Sequence, residues 1–170
     1  LAAAVLKERY TKESFHSVFR ILGEGQLALT KFLFAVHDDI NLQDFKSVLK
    51  YILQRVEWEN DLLIFSNTPM DSLDYAGPKV NLGSKGALIV GKKIVRNLYD
   101  QIQQKINIVD EKKIGIFCPG CLVVEAPQWE ADPKFSHKVL QETSVSDWPL
   151  VIVVDDLKKT LSSTISFLWT

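Results

Sequence analysis

The clearest pattern of hydrophobic and polar positions in the chain has helical spacing. Apolar residues recur every three or four positions at Phe45, Val48, Leu49, Ile52, Leu53 and Val56. Such a stripe predicts an amphipathic helix. Residues 31–36 before it form a short, continuous apolar run, which is typical of a strand covered on both faces. Residues 61–66 after it predict the next short apolar strand. Strand, helix and strand with short links predict a βαβ unit whose strands are parallel.

Weaker patterns predict further elements on both sides of this unit. Helices are expected over residues 1–10, 13–22, 92–105 and 134–142 and from 160 onward. Strands are expected over residues 87–90, 113–117 and 121–125 and in the apolar run 149–154. Helices and strands that alternate in this way predict an α/β fold with a mostly parallel sheet and flanking helices, a three-layer arrangement of the doubly wound type. Residues 1–170 are expected to form a single domain.

Two pairs of aspartates follow apolar runs. Asp38-Asp39 comes after the first, Asp155-Asp156 comes after the last, and a helical pattern follows each pair. Parallel strands of one sheet end at the same edge, where doubly wound sheets bind ligands, so both pairs are expected there. The simpler interpretation is that these acids cap the helices that follow. The alternative is a metal or proton-transfer site built from converging carboxylates.

Composition narrows the possible functions mainly by exclusion. The net charge is -1 and no block of Lys or Arg occurs, so a nucleic-acid surface is not expected. The longest apolar runs are far shorter than the roughly 20 residues that cross a bilayer, and the start does not resemble a signal peptide. These features favour a cytoplasmic protein. The chain stops inside a helical pattern, which indicates a piece of a longer protein.

The two cysteines of the chain, Cys118 and Cys121, flank a Pro-Gly pair between two predicted strands. Pro-Gly at the centre of four residues is the signature of a type II turn. A thioredoxin-like motif needs its first cysteine at a helix N-terminus. A zinc site needs two further ligands, and His16, His37 and His137 show no paired spacing. A turn is therefore favoured, with a thiol-redox or zinc module as the alternative.

Two other segments carry weaker signals. Gly83-Ser84-Lys85 has the residue types of a phosphate-binding loop but lacks the P-loop spacing. His37 next to Asp38 could form a titrating pair, although a lone histidine at a strand end is more often simply hydrogen-bonded. No nucleophile-elbow or zinc-protease motif occurs in the sequence. Taken alone, these motifs do not name a reaction.

Several short blocks between residues 15 and 86 stand in a specific order. They begin with Thr30-Lys31 and include the residues called here the family-motif residues: Asp38, Asp39, Asn41, Arg55, Thr68, Pro69, Asp71, Asp74, Gly83, Ser84 and Lys85. In order and spacing they resemble the C-terminal part of the UbiD family of prenylated-flavin-dependent decarboxylases, which includes the 3-polyprenyl-4-hydroxybenzoate decarboxylases. The chain departs from the family pattern at Gln54, where a threonine is usual, and at residues 86–91 after the Gly-Ser-Lys block.

The resemblance implies that the chain is the C-terminal domain of a larger decarboxylase of ubiquinone or menaquinone biosynthesis. Residues 1–30 would then be a helical lead-in from the preceding domain. In the family, the prenylated flavin mononucleotide, a divalent metal, the catalytic arginine and two glutamates belong to that preceding domain. The resemblance therefore implies no catalytic residue, metal or cofactor in this fragment. It implies a homo-oligomer, and a domain that closes the active site with the family-motif residues facing it.

An alternative interpretation does not use the resemblance. The chain would be a free-standing, flavodoxin-like domain that binds a small ligand at the strand ends, near Asp38 and Asp155.

Overall fold

A computed structural model describes residues 1–24, 27, 29–37, 39–72 and 77–169. Two predicted site residues, Asp38 and Asp74, lie outside the described residues. The contacts within the chain divide it into two compact units, and each is described by itself. The first unit comprises Leu1–Leu42 and Arg55–Val95, and the second comprises Gln43–Gln54 and Arg96–Thr170.

Helices and strands alternate along the described chain. In order they are β1 (Ala2–Val5), α1 (Ser14–Gly23), β2 (Phe32–Val36), α2 (Phe45–Arg55), α3 (Trp58–Asp61), β3 (Leu62–Pro69), β4 (Leu82–Ile89), β5 (Ile114–Cys118), β6 (Cys121–Glu125), α4 (Phe135–Gln141), β7 (Leu150–Val154), α5 (Leu157–Leu161) and α6 (Thr164–Leu168). Short 3-10 turns cover Glu111–Lys113 and Thr143–Val145.

The first unit is built on a four-stranded sheet in the order β1-β2-β4-β3. β1 and β2 are parallel, β2 and β4 are parallel, and β3 is antiparallel to β4 at the edge of the sheet. The amphipathic helix α1 packs Val18 and Leu22 on this sheet, against residues such as Leu33 and Ala87. Burial of this apolar face is what holds the helix on the sheet.

The second unit contains a three-stranded sheet in the order β5-β6-β7. Its central strand β6 is buried on both faces: Leu122 and Val124 belong to one apolar cluster, and Cys121 and Val123 belong to another. This alternation follows from the two-residue period of a strand. Helix α2 contributes to the second cluster through Leu49. The continuous apolar run of β6 thus reflects two covered faces.

The predicted parallel, doubly wound, three-layer sheet is wrong. Each sheet is mixed, because β3 is antiparallel to β4 and β5 is antiparallel to β6. The α/β composition is correct. The sequence predicts segment 61–66 as the second strand of a βαβ unit, but β3 instead forms a hairpin with β4 through residues 70–81. Apolar content predicts a strand but not its direction or its burial: β3 is a partly exposed edge strand, with Ile64 58% exposed, so the sequence pattern missed the hairpin.

The pattern of an apolar run followed by two aspartates occurs twice in the sequence, and its two copies lie in different sheets. Strand β2 belongs to the four-stranded sheet and β7 to the three-stranded sheet. The expectation that both aspartate pairs meet at one edge is therefore wrong. The flavodoxin-like alternative required the doubly wound sheet, and it falls with that prediction. Each strand pairs with the neighbours of its own unit, and a short repeat in sequence does not specify those neighbours.

Two predicted helices are also corrected. Residues 2–5 form β1 rather than a helix, because parallel pairing with β2 outweighs the helix propensity of the Ala-rich segment. Residues 92–105 contain no helix. Their backbone groups bond to other segments instead: Arg96 N donates to Gln54 O at 3.3 Å, and Tyr99 O accepts from Gly120 N at 2.9 Å. The helices predicted at 13–22, 45–56 and 134–142 are confirmed within one or two residues.

Candidate functional site

A pocket of about 470 Å³ in the first unit brings several family-motif residues together. It is lined by the end of α1 and by the β3–β4 hairpin. Its polar lining is Thr68, Asp71 and Lys85, with Pro69 beside them. Its apolar lining consists of Phe19, Leu22, Leu29, Phe65 and Met70. The pocket is called here the Lys85 pocket.

Irregular backbone at the end of β3 shapes one side of this pocket. The pairing of β3 with β4 shifts register between Phe65 and Thr68. Asn67 in this bulge has a φ of 56°, a left-handed conformation that asparagine tolerates better than most residues. Pro69 lies on the edge strand, where a missing backbone N–H does not break a ladder between two strands. The bulge and the proline together determine where the hairpin leaves the sheet.

Lys85 is the buried charge of the pocket. Its residue is only 7% exposed, and its Nζ donates a hydrogen bond to the backbone carbonyl of Leu22 at 2.6 Å. That carbonyl lies at the C-terminal end of α1, where the helix dipole favours a cation. Burial lowers the pKa of Lys85 below the ordinary value of a lysine, because an apolar setting disfavours the charged form. The carbonyl at the end of α1 thus stabilises the Lys85 ammonium and replaces part of the hydration that the ammonium loses on burial.

Other family-motif residues do not line the pocket. Asp39 and Asn41 are exposed on the segment after β2. Arg55 is the last residue of α2, and its Nε donates to the backbone carbonyl of Lys92 at 3.3 Å. A cation at that position also suits the negative end of the helix dipole.

Gly83-Ser84-Lys85 lies inside strand β4 and not in a loop. Gly83 is paired with Thr68, and Lys85 is paired with Phe65 across the antiparallel ladder. A phosphate-binding loop instead turns successive backbone N–H groups toward the phosphate. This segment therefore does not fit the phosphate of a flavin nucleotide. Ser84 is exposed and Gly83 is buried.

Sequence reasoning missed a buried polar cluster near the start of the chain. The Ser14 hydroxyl donates to Glu8 Oε1 at 2.5 Å, and His37 Nδ1 donates to the carbonyl of Leu6 at 2.8 Å. His37 Nε2 lies 3.8 Å from Glu8 Oε2. The serine is bonded to the carboxylate and not to the imidazole, so the cluster lacks the nucleophile–base contact of a catalytic triad. The interpretation of His37 as a hydrogen-bonded histidine is confirmed.

Two aspartates next to helices, Asp156 and Asp44, act as caps. The Asp156 carboxylate accepts a hydrogen bond from Lys159 N at 2.9 Å at the start of α5. Helix α2 is capped by Asp44, which accepts from Ser47 N at 3.3 Å. The sequence predicts that the first aspartate pair caps this helix, and the capping bond comes instead from Asp44. Among the described residues, no group of three or more His, Cys, Asp or Glu side chains could hold a metal ion.

Over the described part of the chain, we find no helix with the length and apolar character needed to traverse a bilayer.

Comparison with known proteins identifies the family. Residues 1–90 match the family model of the 3-octaprenyl-4-hydroxybenzoate carboxy-lyase C-terminal domain. The chain belongs to the UbiD family. This UbiD-family match covers the sheet of the first unit and the whole Lys85 pocket. The resemblance drawn from the family-motif residues is therefore confirmed.

Relatives extend the likeness beyond the UbiD family model. A protein of Chlamydia trachomatis is 44% identical and one of Chlamydia muridarum is 43% identical, each over 169 residues, which is 99% of this chain and 28% of the relative. A Chlamydia pneumoniae protein named as a 4-hydroxybenzoate decarboxylase subunit is 44% identical over 170 residues, with the same coverage. The chain thus spans 28% of the length of these relatives.

Solved structures show the fold. The vanillic acid decarboxylase of Sedimentibacter hydroxybenzoicus matches in its open and its closed form, with a TM-score of 0.50 and 16% identity in both. The match covers 82% of this chain and 26% of that chain. The arrangement of helices and strands in this UbiD-family chain is therefore shared with a solved decarboxylase.

Proposed function

We propose that the chain is the C-terminal domain of a UbiD-like, non-oxidative aromatic acid decarboxylase of the polyprenyl-hydroxybenzoate type. In this proposal it closes the active site and mediates homo-oligomerisation, and it is not catalytic alone. The observation that carries the proposal is the gathering of Thr68, Pro69, Asp71 and Lys85 around one pocket. Lys85 follows Asp71 by 14 residues in the sequence, and the hairpin of β3 and β4 brings both to one pocket, which supports a common role.

The residues of the pocket are suited to lining an active site rather than to taking part in the reaction. Most of its lining is apolar, and its cation is bonded to the end of α1. Such a surface excludes water, and its two charged side chains are the Lys85 ammonium and the Asp71 carboxylate. The family carries its prenylated flavin mononucleotide and divalent metal in the preceding domain, and that domain would supply the reactive groups.

The relatives and the solved structures support the same placement. The match covers 99% of this chain but only 28% of the relative. Most of the length of such a protein therefore lies outside the matched segment, and the proposal assigns the catalytic part to it. The vanillic acid decarboxylase is known in an open and a closed form, and a domain that opens and closes is the role proposed here. A place in ubiquinone or menaquinone biosynthesis and a cytoplasmic location are parts of the same proposal.

Deletion of this segment from the full-length protein tests the proposal. The shortened protein is expected to retain its flavin absorbance after desalting, because the cofactor site lies in the remaining part. It is expected to lose decarboxylation of an aromatic acid and to show a smaller assembly by light scattering. The intact full-length protein, purified in parallel, is the control.

Two outcomes would contradict the proposal. Loss of the flavin on deletion, with the remaining part still folded by circular dichroism, would place the cofactor site in this chain. Unchanged turnover after deletion would remove any role in closing the active site.

A further inference from the structure

The two cysteines form a pair across the hairpin of the second unit. Cys118 ends β5, Cys121 begins β6, and the two are register partners. Gly120 between them has a φ of 84°, as the third residue of a type II turn requires. The ends of such a turn lie within about 7 Å at their Cα atoms, and a disulfide needs about 4.4–6.8 Å. The backbone therefore already holds the pair at a distance that a disulfide can bridge.

Contacts from neighbouring segments hold the turn in this conformation. Gly120 N donates to the carbonyl of Tyr99 at 2.9 Å, and Leu150 N donates to the carbonyl of Gly120 at 3.3 Å. Leu98 packs so closely that a Cβ at Gly120 would lie 2.7 Å from its Cδ2 atom. A turn fixed on both sides keeps the two sulfur atoms facing each other without a bond between them.

The two thiols are not equivalent. Their side chains share a hydrogen bond, which lowers the pKa of Cys118 and raises that of Cys121. The nearby ammonium groups of Lys46 and Lys50 also favour the Cys118 thiolate, whereas burial opposes it. Lys46 Nζ lies 4.9 Å above the ring of Phe117, next to Cys118 in sequence. The environment thus assigns Cys118 the nucleophilic part and Cys121 the part of hydrogen-bond donor.

Exposure of the two residues agrees with this division. Cys118 retains 5% exposure, and Pro119 at the tip of the turn is partly exposed, whereas Cys121 has 0% exposure. Both residues are buried, and Cys118 is the one that keeps some exposure, next to the partly exposed tip of the turn. A thiol of lowered pKa beside a second thiol is the pairing found in redox-sensitive cysteine pairs.

We propose that Cys118 and Cys121 form a dithiol–disulfide site that a hydroperoxide oxidises and a small thiol restores. The Cys118 thiolate attacks one peroxide oxygen, the O–O bond breaks, and the departing oxygen leaves as an alcohol or water after taking a proton. Cys121 then attacks the Cys118 sulfenic acid, and the hydroxyl leaves with the Cys121 proton as water. Two thiols and one hydroperoxide thus give one disulfide, one alcohol and one water, and two equivalents of a thiol reverse the oxidation.

The test uses the full-length protein and hydrogen peroxide as the oxidant. After oxidation the protein is denatured, alkylated with N-ethylmaleimide and mapped by mass spectrometry. The peptide that contains residues 118–121 is expected to change from a doubly alkylated form to one that is two hydrogens lighter than the dithiol. Dithiothreitol is expected to return it to the doubly alkylated form.

Two variants separate the roles of the sulfur atoms. Cys121→Ser is expected to accumulate a sulfenic acid on Cys118, which dimedone traps. Cys118→Ser is expected to leave Cys121 fully alkylatable after the same treatment, because Cys121 has no exposure and its burial, which remains in the variant, raises its pKa.

Three results would overturn the proposal. The first is a 118–121 peptide that stays doubly alkylated at a peroxide dose that fully oxidises free dithiothreitol. The second is a sulfinic acid on Cys118 in place of the disulfide. The third is one equivalent of zinc in the untreated protein by elemental analysis, because the thiols would then be metal ligands.

Discussion

The two units differ in what they bury. Among the described residues, Ser14, His37 and Lys85 are buried polar side chains of the first unit. The second unit buries neutral groups: the Thr160 hydroxyl, which donates to the carbonyl of Asp156, the hydroxyls of Tyr51 and Ser144, and the two thiols within otherwise apolar clusters. Each buried polar group costs stability unless it is well bonded.

This contrast indicates which unit contains the residues that serve the UbiD-family function. Natural proteins depart from apolar cores mainly at functional sites, and the first unit carries both the family-model match and the Lys85 pocket. The second unit buries mainly apolar groups, and the pair of thiols proposed above as a redox site is its exception. Four predictions test this comparison, from the largest expected effect to the smallest.

The first prediction compares one glycine from each unit. A Cβ at Gly86 would lie 2.4 Å from the ring of Phe32, and a Cβ at Gly115 would lie 2.4 Å from the end of the Leu161 side chain. A ring on a central strand cannot turn aside, whereas a leucine end can. Gly86→Ala is expected to lower the free energy of unfolding by about 3 kcal/mol and Gly115→Ala by about 1 kcal/mol. Urea denaturation measures both, and equal losses would contradict the argument.

The second prediction separates function from stability at Lys85. Lys85→Met removes a desolvated cation and keeps the length of the side chain, so the melting temperature is expected to stay the same or rise. The kcat/KM of the full-length protein is expected to fall about tenfold, or roughly 1.4 kcal/mol. Lys79→Met, at an exposed lysine of the same hairpin, is the control and should change neither. A large loss of stability with proportionate loss of activity would make Lys85 a structural residue.

The third prediction concerns the acid sensitivity of the polar cluster. Burial alone would raise the pKa of Glu8, but hydrogen bonds from the Ser14 hydroxyl and amide outweigh it and lower the pKa. A lowered folded-state pKa contributes stability above the unfolded-state pKa, and that stability is lost as the pH falls through the folded value.

Ser14→Ala is therefore expected to cost about 1.5 kcal/mol at neutral pH, and the difference should shrink as the pH falls through the lowered folded-state pKa of Glu8 and the carboxylate becomes protonated. Thermal unfolding over a pH series measures the effect. Ser162→Ala, at an exposed serine that bonds a carbonyl, serves as the control and should show no such pH dependence. A cost at Ser14 that is the same at every pH would remove Glu8 from the explanation.

The fourth prediction decides between capping and ligand binding at the second aspartate pair. Asp156→Ala removes the cap of α5 and is expected to cost about 0.5–1 kcal/mol. Asp155→Ala is expected to cost almost nothing, because the capping bond comes from Asp156. Denaturation in the presence and absence of magnesium measures both variants, and stabilisation by the ion that either substitution abolishes would revive the ligand interpretation.

Periodicity predicted the local elements well for clear physical reasons. The stripe from Phe45 to Val56 predicted α2, and the continuous apolar runs predicted β2, β6 and β7. These predictions succeed because the faces of an element that are covered determine which positions along it are apolar. The Pro-Gly pair predicted the turn at Cys118 and Cys121, since only a few residues adopt a left-handed φ without strain. The family-motif residues predicted the family.

What the sequence determined by itself was therefore local: which segments bury a face, where the chain turns, and which family it belongs to. Only the tertiary structure decided that the sheets are mixed, that β1 is a strand, and that Lys85 reaches the end of α1 while Arg55 does not line its pocket. The direction of a strand and the contacts between distant side chains depend on which segments pair. Pairing is decided by packing and hydrogen bonds between residues far apart in the chain.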